Sequence, residues 1–205
     1  MGETYTSRLR SGLLPVLTYA AYGALAAPLT IVAHELGHFG VGVILGTPDL
    51  ALHYGSVSDT AREQAFSTAA IGAQALAGPI VTLLILIGGF VALKTQTHPF
   101  VVGILLASPI RFAVGAVYLA FSLGAMIKGE ARNQPNFDEF NAAQAFGFAV
   151  EPLIIIEIVA TIAIWVWIFR RLEKRTRFRA LLGAIVGIVI GVGLWITSIG
   201  PWLLP

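Results

Sequence analysis

The stretch Ala33-His34-Glu35-Leu36-Gly37-His38-Phe39 holds the residues best suited to chemistry. On a helix, residues i and i+4 share a face, so His34 and His38 offer two imidazole nitrogens to one zinc ion. Glu35 projects about 100° further round the helix, where it can act as general base. Two ligands leave a catalytic zinc incomplete, since such sites carry three protein ligands and keep one position open. Between Leu13 and Gly46 the only charged or histidine side chains are these three. Polar groups at membrane depth are costly and mark functional sites. A satisfied core histidine pair is the plainer explanation of such a pattern, and the apolar setting argues against it.

The rest of the chain is what must position this motif. It has 205 residues, of which 57% are hydrophobic and 12% charged, and a mean hydropathy of +0.82. Those values describe an all-α polytopic membrane protein, integral and multi-pass, with a lipid bilayer as its solvent. The length allows one integral-membrane unit over 1–205. The absence of Cys excludes disulfides, thiolate zinc ligands and a cysteine nucleophile. A net charge of +2 gives no footing for nucleic acid.

Five spans are expected. Arg8 and Arg10 precede a hydrophobic run too long for a signal peptide, so the first segment is expected to remain as an anchor. Leu13–Gly46 would be about 51 Å long as one helix, against a hydrocarbon core of about 30 Å. It therefore reads as a long tilted helix, kinked near Pro28, with the motif in its second half. Asp49–Thr60 is too polar to span, and its Leu50, Leu52, Tyr54 and Val57 around Gly55 predict a short membrane-associated β-hairpin. Phe66–Leu93 is the second span, opening on small residues and bent or broken at Gly78-Pro79. Lys94–His98 is a short turn to the third span, Pro99–Ile127.

Arg111 in that third span needs a counter-charge or a wet cavity, and Glu151 and Glu157 on the fourth span, Phe148–Phe169, are the expected acids. Lys128–Gly147 is a polar connection. Arg170–Arg179 is a basic membrane-surface turn, and Ala180–Leu204 is the fifth span. Charge counting groups Arg8, Arg10, Lys94 and Arg170–Arg179 on one side, with Arg62, Lys128 and Arg132 on the other. This grouping is an expectation about which loops share a side; the positive-inside rule taken alone would put the metal-site end of the first helix outside, and the absolute orientation is left open.

The candidates for the third ligand are His53, His98, Asp138 and Glu139. Two intervening spans return the segment around residue 138 to the same membrane side as the C-terminal end of the first helix, whereas His98 falls opposite. Position thus favours Asp138 or Glu139, and Pro135 supplies an irregular backbone that can bring a carboxylate towards the ion.

The ordered combination of His34-Glu35-Leu36-Gly37-His38, a β-prone loop, Ala77-Gly78-Pro79 and the segment Asn133-Gln134-Pro135-Asn136-Phe137-Asp138 resembles the site-2 protease family of intramembrane zinc metalloproteases. The likeness covers about residues 25–145, leaving two C-terminal helices at 148–204. It implies one Zn2+ per chain on His34, His38 and Asp138, with Glu139 the alternative ligand, and Glu35 as catalytic base. It further implies a transmembrane protein or peptide as substrate, cleaved in or near a membrane segment and held around Leu52, His53, Tyr54, Asn133 and Asn136. Two positions depart from the family pattern: Thr82 stands where an Asn is usual, and Glu139 where a Gly usually follows the ligand Asp. The alternatives are a non-proteolytic client-binding protein with a structural metal and, less well supported, a metal transporter.

Overall fold

A computed structural model describes residues 5–58, 66–95, 97–129 and 137–205, with side chains from residue 13 onward. Asn133, Pro135, Asn136, Arg62 and Arg132, and the side chains of Arg8 and Arg10, lie outside the described residues. The architecture is all-α with one small hairpin, and five helical stretches are long and apolar enough to cross a membrane.

Helix α1 runs unbroken from Tyr5 to Leu45 with Pro15 and Pro28 inside it. In an apolar solvent a helix is the cheapest way to satisfy backbone polar groups, which is why isolated prolines are tolerated there. It stops at Gly46, whose positive φ closes the last turn, and Thr47 N–H returns to the Gly42 carbonyl at 3.0 Å. The expected hairpin follows: β1 (Ala51–Leu52) pairs antiparallel with β2 (Val57–Ser58).

Helix α2, Thr68–Thr95, passes through Gly78-Pro79 without the break the sequence suggests. The interruption falls in the third span instead. Helix α3 (Pro99–Ala107) gives way to a 3-10 turn at Ser108–Phe112, and α4 resumes at Ala113–Lys128. Pro109 lacks an N–H and crowds the preceding residue, while Ser108 Oγ turns back to the Ile104 carbonyl at 2.7 Å.

The polar connection contains a helix that its composition did not reveal, α5 (Asp138–Phe146), closed by Gly147 at positive φ. Glu139 therefore belongs to α5. That span is α6 (Glu151–Arg171). The last comprises α7 (Arg177–Leu194), a π-helical turn at Trp195–Ile199 and α8 (Gly200–Leu203).

Helix α7 lies closely against α1. A Cβ on Gly183, Gly187 or Gly191 would overlap the carbonyl oxygens of Val16, Ala20 and Ala24 respectively. A small residue every fourth position thus lets two backbones meet where no hydrophobic effect drives helices together. Val102, Leu105, Ile168 and Ala184 are fully buried in the main core. A second cluster of Phe137, Ala143, Val150 and Ile154 seats α5 against α6. Large apolar side chains such as Leu84, Phe121, Ile156 and Val189 point outward, as lipid-facing residues do. Arg171 donates to the Lys94 carbonyl at 3.1 Å, so the α2–α3 turn and the basic α6–α7 turn share one end, as charge counting expects.

Candidate metal centre

His34 and His38 are buried on α1 and face α2. The Nδ1 of His38 lies 2.7 Å from the Gln74 carbonyl oxygen, which can only accept, so this nitrogen carries a proton. The Nδ1 of His34 lies 2.8 Å from Thr82 Oγ1. Gln74, Gly78 and Thr82 occupy successive positions four apart on α2, so one stripe supports both rings from behind and leaves both Nε2 atoms facing forward.

Asp138 meets them from the first turn of α5. Its Oδ2 is 2.9 Å from His34 Nε2 and 3.2 Å from His38 Nε2, and the two Nε2 atoms are 3.1 Å apart. The Gln74 carbonyl leaves Nε2 of His38 with a lone pair, and a cation could take it together with Nε2 of His34 and Oδ2 of Asp138. A tetrahedral zinc with bonds of about 2.0–2.1 Å spaces its ligand atoms about 3.3 Å apart, close to what is found. Gly78 supplies the room, since a Cβ there would overlap Nε2 of both His34 and His38. Among the described residues, His34, His38 and Asp138 are the group with metal-ligand spacing.

Glu35 is buried beside this group and faces a pocket of about 370 Å³. Ser56, Ser58, Gln74, Arg111 and Asn141 also line the pocket, together with His38 and Asp138. Glu35 has an ion-pair partner that the sequence did not indicate: Arg111 Nη2 donates to its Oε1. The expected pairing of Arg111 with Glu151 or Glu157 is thereby corrected. Glu157 meets Glu139 instead, carboxyl to carboxyl. Burial, with the Asp138 charge adding to it, pushes the Glu139 carboxyl up to about 7. Glu139 is buried against α6 and lies outside the ligand group.

The remaining candidates sit elsewhere. His98 caps α3, accepting from Phe100 N–H at 3.2 Å, with its ring edge-on to Tyr22. His53 is 2.9 Å from Ser58 Oγ and contacts the Pro205 carbonyl. Tyr54 is tied to the C-terminal segment, donating its N–H to Leu204 O at 3.1 Å and accepting from Trp195 Nε1 at 2.7 Å. Leu52 lies in β1 opposite Val57. The hairpin reaches the pocket through Gly55, Ser56, Val57 and Ser58, and Leu52, His53 and Tyr54 are not among the lining residues. The ring supports from Thr82 and the Gln74 carbonyl, and the pairing of Arg111 with Glu35, also escaped sequence reasoning. The four-residue spacing of Gln74, Gly78 and Thr82 was the signal available for the first two.

Comparison with known proteins found no matching family model, no similar curated protein and no similar solved structure.

Proposed function

We propose that this chain is an integral-membrane, zinc-dependent endopeptidase of the site-2 protease type, acting on a transmembrane segment of another protein. The observation that carries this reading is the placement of Glu35. A structural metal clamp needs no base, yet a buried carboxylate from the same helix as both imidazoles shares the ion-binding group's pocket. His34, His38 and Asp138 would hold the zinc, leaving a tetrahedral ion one position for substrate chemistry. Zinc bound there would supply Lewis acidity, making water acidic near neutral pH and polarising a carbonyl.

This chain's own residues supply the rest. Glu35 takes a proton from the attacking water as its oxygen bonds to the carbonyl carbon, then returns that proton to the amine nitrogen as the C–N bond breaks. The Gln74 carbonyl fixes the tautomer of His38, and Thr82 orients the ring of His34. A transmembrane helix hides its carbonyls, so a substrate must unwind to be cut. The hairpin strand at Val57–Ser58 offers the freed backbone groups hydrogen-bond partners.

The test uses protein purified in detergent, assayed for metal by elemental analysis and for cleavage of a single-span membrane peptide. The expected result is one zinc per chain, cleavage abolished by a strong chelator, and recovery on adding zinc. Bound zinc without cleavage of any of a panel of spanning peptides would favour a structural clamp, and absence of metal would reject the reading outright.

A further inference from the structure

Arg111 sits in the 3-10 turn Ser108–Phe112, where Pro109 interrupts the third span. Its guanidinium is partly open to the pocket, at 31% exposure, while the Glu35 side chain it pairs with is 2% exposed. A carboxylate close to a divalent ion has two possible fates. Carboxylate oxygens are good zinc ligands, and a carboxylate engaged by the ion is no longer free to take a proton. Glu35 follows ligand His34 directly and lies on the pocket side of α1, so both fates are within its reach. The Arg111 guanidinium, always charged and planar, is the described cation that engages it.

Resting on the proteolytic reading above, we propose that Arg111 is a positioning residue for Glu35: the 3-10 turn delivers its guanidinium to the Glu35 carboxylate, holding that carboxylate on the pocket side and keeping it from becoming a further ligand of the ion. The interruption of the third span then has a role in the site. A regular helix through Ser108–Phe112 would point residue 111 in another direction, because a 3-10 turn advances each residue by a different angle from an α-turn. Lys cannot substitute fully, since an ammonium is a single point of charge without a planar fork.

The experiment compares zinc-loaded wild type with Arg111→Met, Arg111→Lys, Glu35→Gln and the double variant Arg111→Met/Glu35→Gln, all in detergent. It reads the rate at which zinc passes to a colorimetric chelator and the kinetics of cleavage of a spanning peptide. In Arg111→Met, Glu35 is released to join the ion, so zinc should leave about tenfold more slowly than from wild type. The double variant should release zinc at the Glu35→Gln rate, because no carboxylate remains to be captured. Cleavage by Arg111→Met should fall about a hundredfold in kcat with KM little changed, the cost of a misplaced catalytic group, and Arg111→Lys should fall between.

Equal release rates from wild type and Arg111→Met would overturn the proposal. So would faster release that persists in the double variant, which would make Arg111 a general support of the fold. If the Met variant does not survive purification, Arg111→Lys reads the same two quantities, and wild-type values for both would also overturn it. Were wild type to cleave nothing, the proteolytic reading would fail while the release rates still decided the positioning role.

Discussion

Thr82 Oγ1 lies 2.8 Å from Nδ1 of His34, so a hydroxyl on the second span orients a ring on the first. The second ring is treated alike, with the Gln74 carbonyl 2.7 Å from Nδ1 of His38. Between these two supports lies Gly78, against both Nε2 atoms. The α1–α2 interface thus braces both imidazoles as well as packing two helices. Each α2 position along the stripe contributes through a different property: a backbone carbonyl, a missing side chain and a hydroxyl.

The missing side chain is the most sensitive of the three. Gly78→Ala adds one methyl where the two ligand nitrogens already stand, and the obstacles to its relief are ring atoms held by hydrogen bonds. Zinc stoichiometry should drop to near zero while helicity by circular dichroism is kept, since Ala favours a helix over Gly. A full complement of zinc in Gly78→Ala would show that the rings have room to retreat.

Thr82→Val preserves shape and removes the hydroxyl that holds His34. Zinc affinity should weaken by about 10–100-fold, the usual cost of removing such a support. Thr82→Ser keeps the hydroxyl and should stay near wild type. Competition with a chelator of known affinity measures both, and equal affinities for Val and Ser variants would remove Thr82 from the site.

How far the sequence discloses this arrangement follows from the range of the interactions. The spans, the hairpin and the His34/Glu35/His38 face are local features, set by hydropathy and by helical or alternating periodicity. Counting spans narrowed the third ligand to Asp138 or Glu139, because it fixes which connections share a membrane side, and the family resemblance pointed to Asp138. Arg111 was not reachable in this way. Its partner depends on the 3-10 turn at Ser108–Phe112, which redirects the side chain, and hydropathy is blind to that change of phase. The prolines differ for a related reason: α1 continues through Pro28 as one long helix, as expected, and α2 continues through Pro79, while Pro109, next to a serine that turns back on its own helix, interrupts the third span. Helix α5 escaped because its nine residues carry a mixed composition inside a polar connection, and its seat against α6 is a tertiary contact.

Asp138 and Glu139 are neighbours with opposite assignments. Asp138→Ala removes an anionic ligand and should strip zinc or weaken it severely. Glu139→Gln should leave zinc in place, because the Glu139 carboxyl is engaged with Glu157 on α6 and lies outside the ligand group. Elemental analysis of both purified variants decides it, and zinc lost from Glu139→Gln but kept by Asp138→Ala would reverse the assignment.

The hairpin prediction concerns substrate conformation. Proline at Val57 removes an N–H that points away from β1 on the strand that borders the pocket, so any pairing with an unwound substrate should suffer. Cleavage of a helical spanning peptide should fall about tenfold more than cleavage of a short, already extended one, a difference of about 1.4 kcal/mol. Equal losses for both peptides would mean the hairpin is damaged in general and does not act by strand pairing.

Glu35→Gln separates chemistry from binding most directly. The amide keeps the size of the side chain and can still contact Arg111, but cannot take a proton near neutral pH. Both imidazoles and Asp138 remain, so zinc should stay at one per chain. Cleavage should fall by about a hundredfold to ten-thousandfold, the range general-base catalysis contributes. A spanning peptide that binds Glu35→Gln as well as wild type yet is no longer cut would place the loss in the chemical step. Cleavage within about tenfold of wild type, below that range, would mean that another group, or water alone, receives the proton.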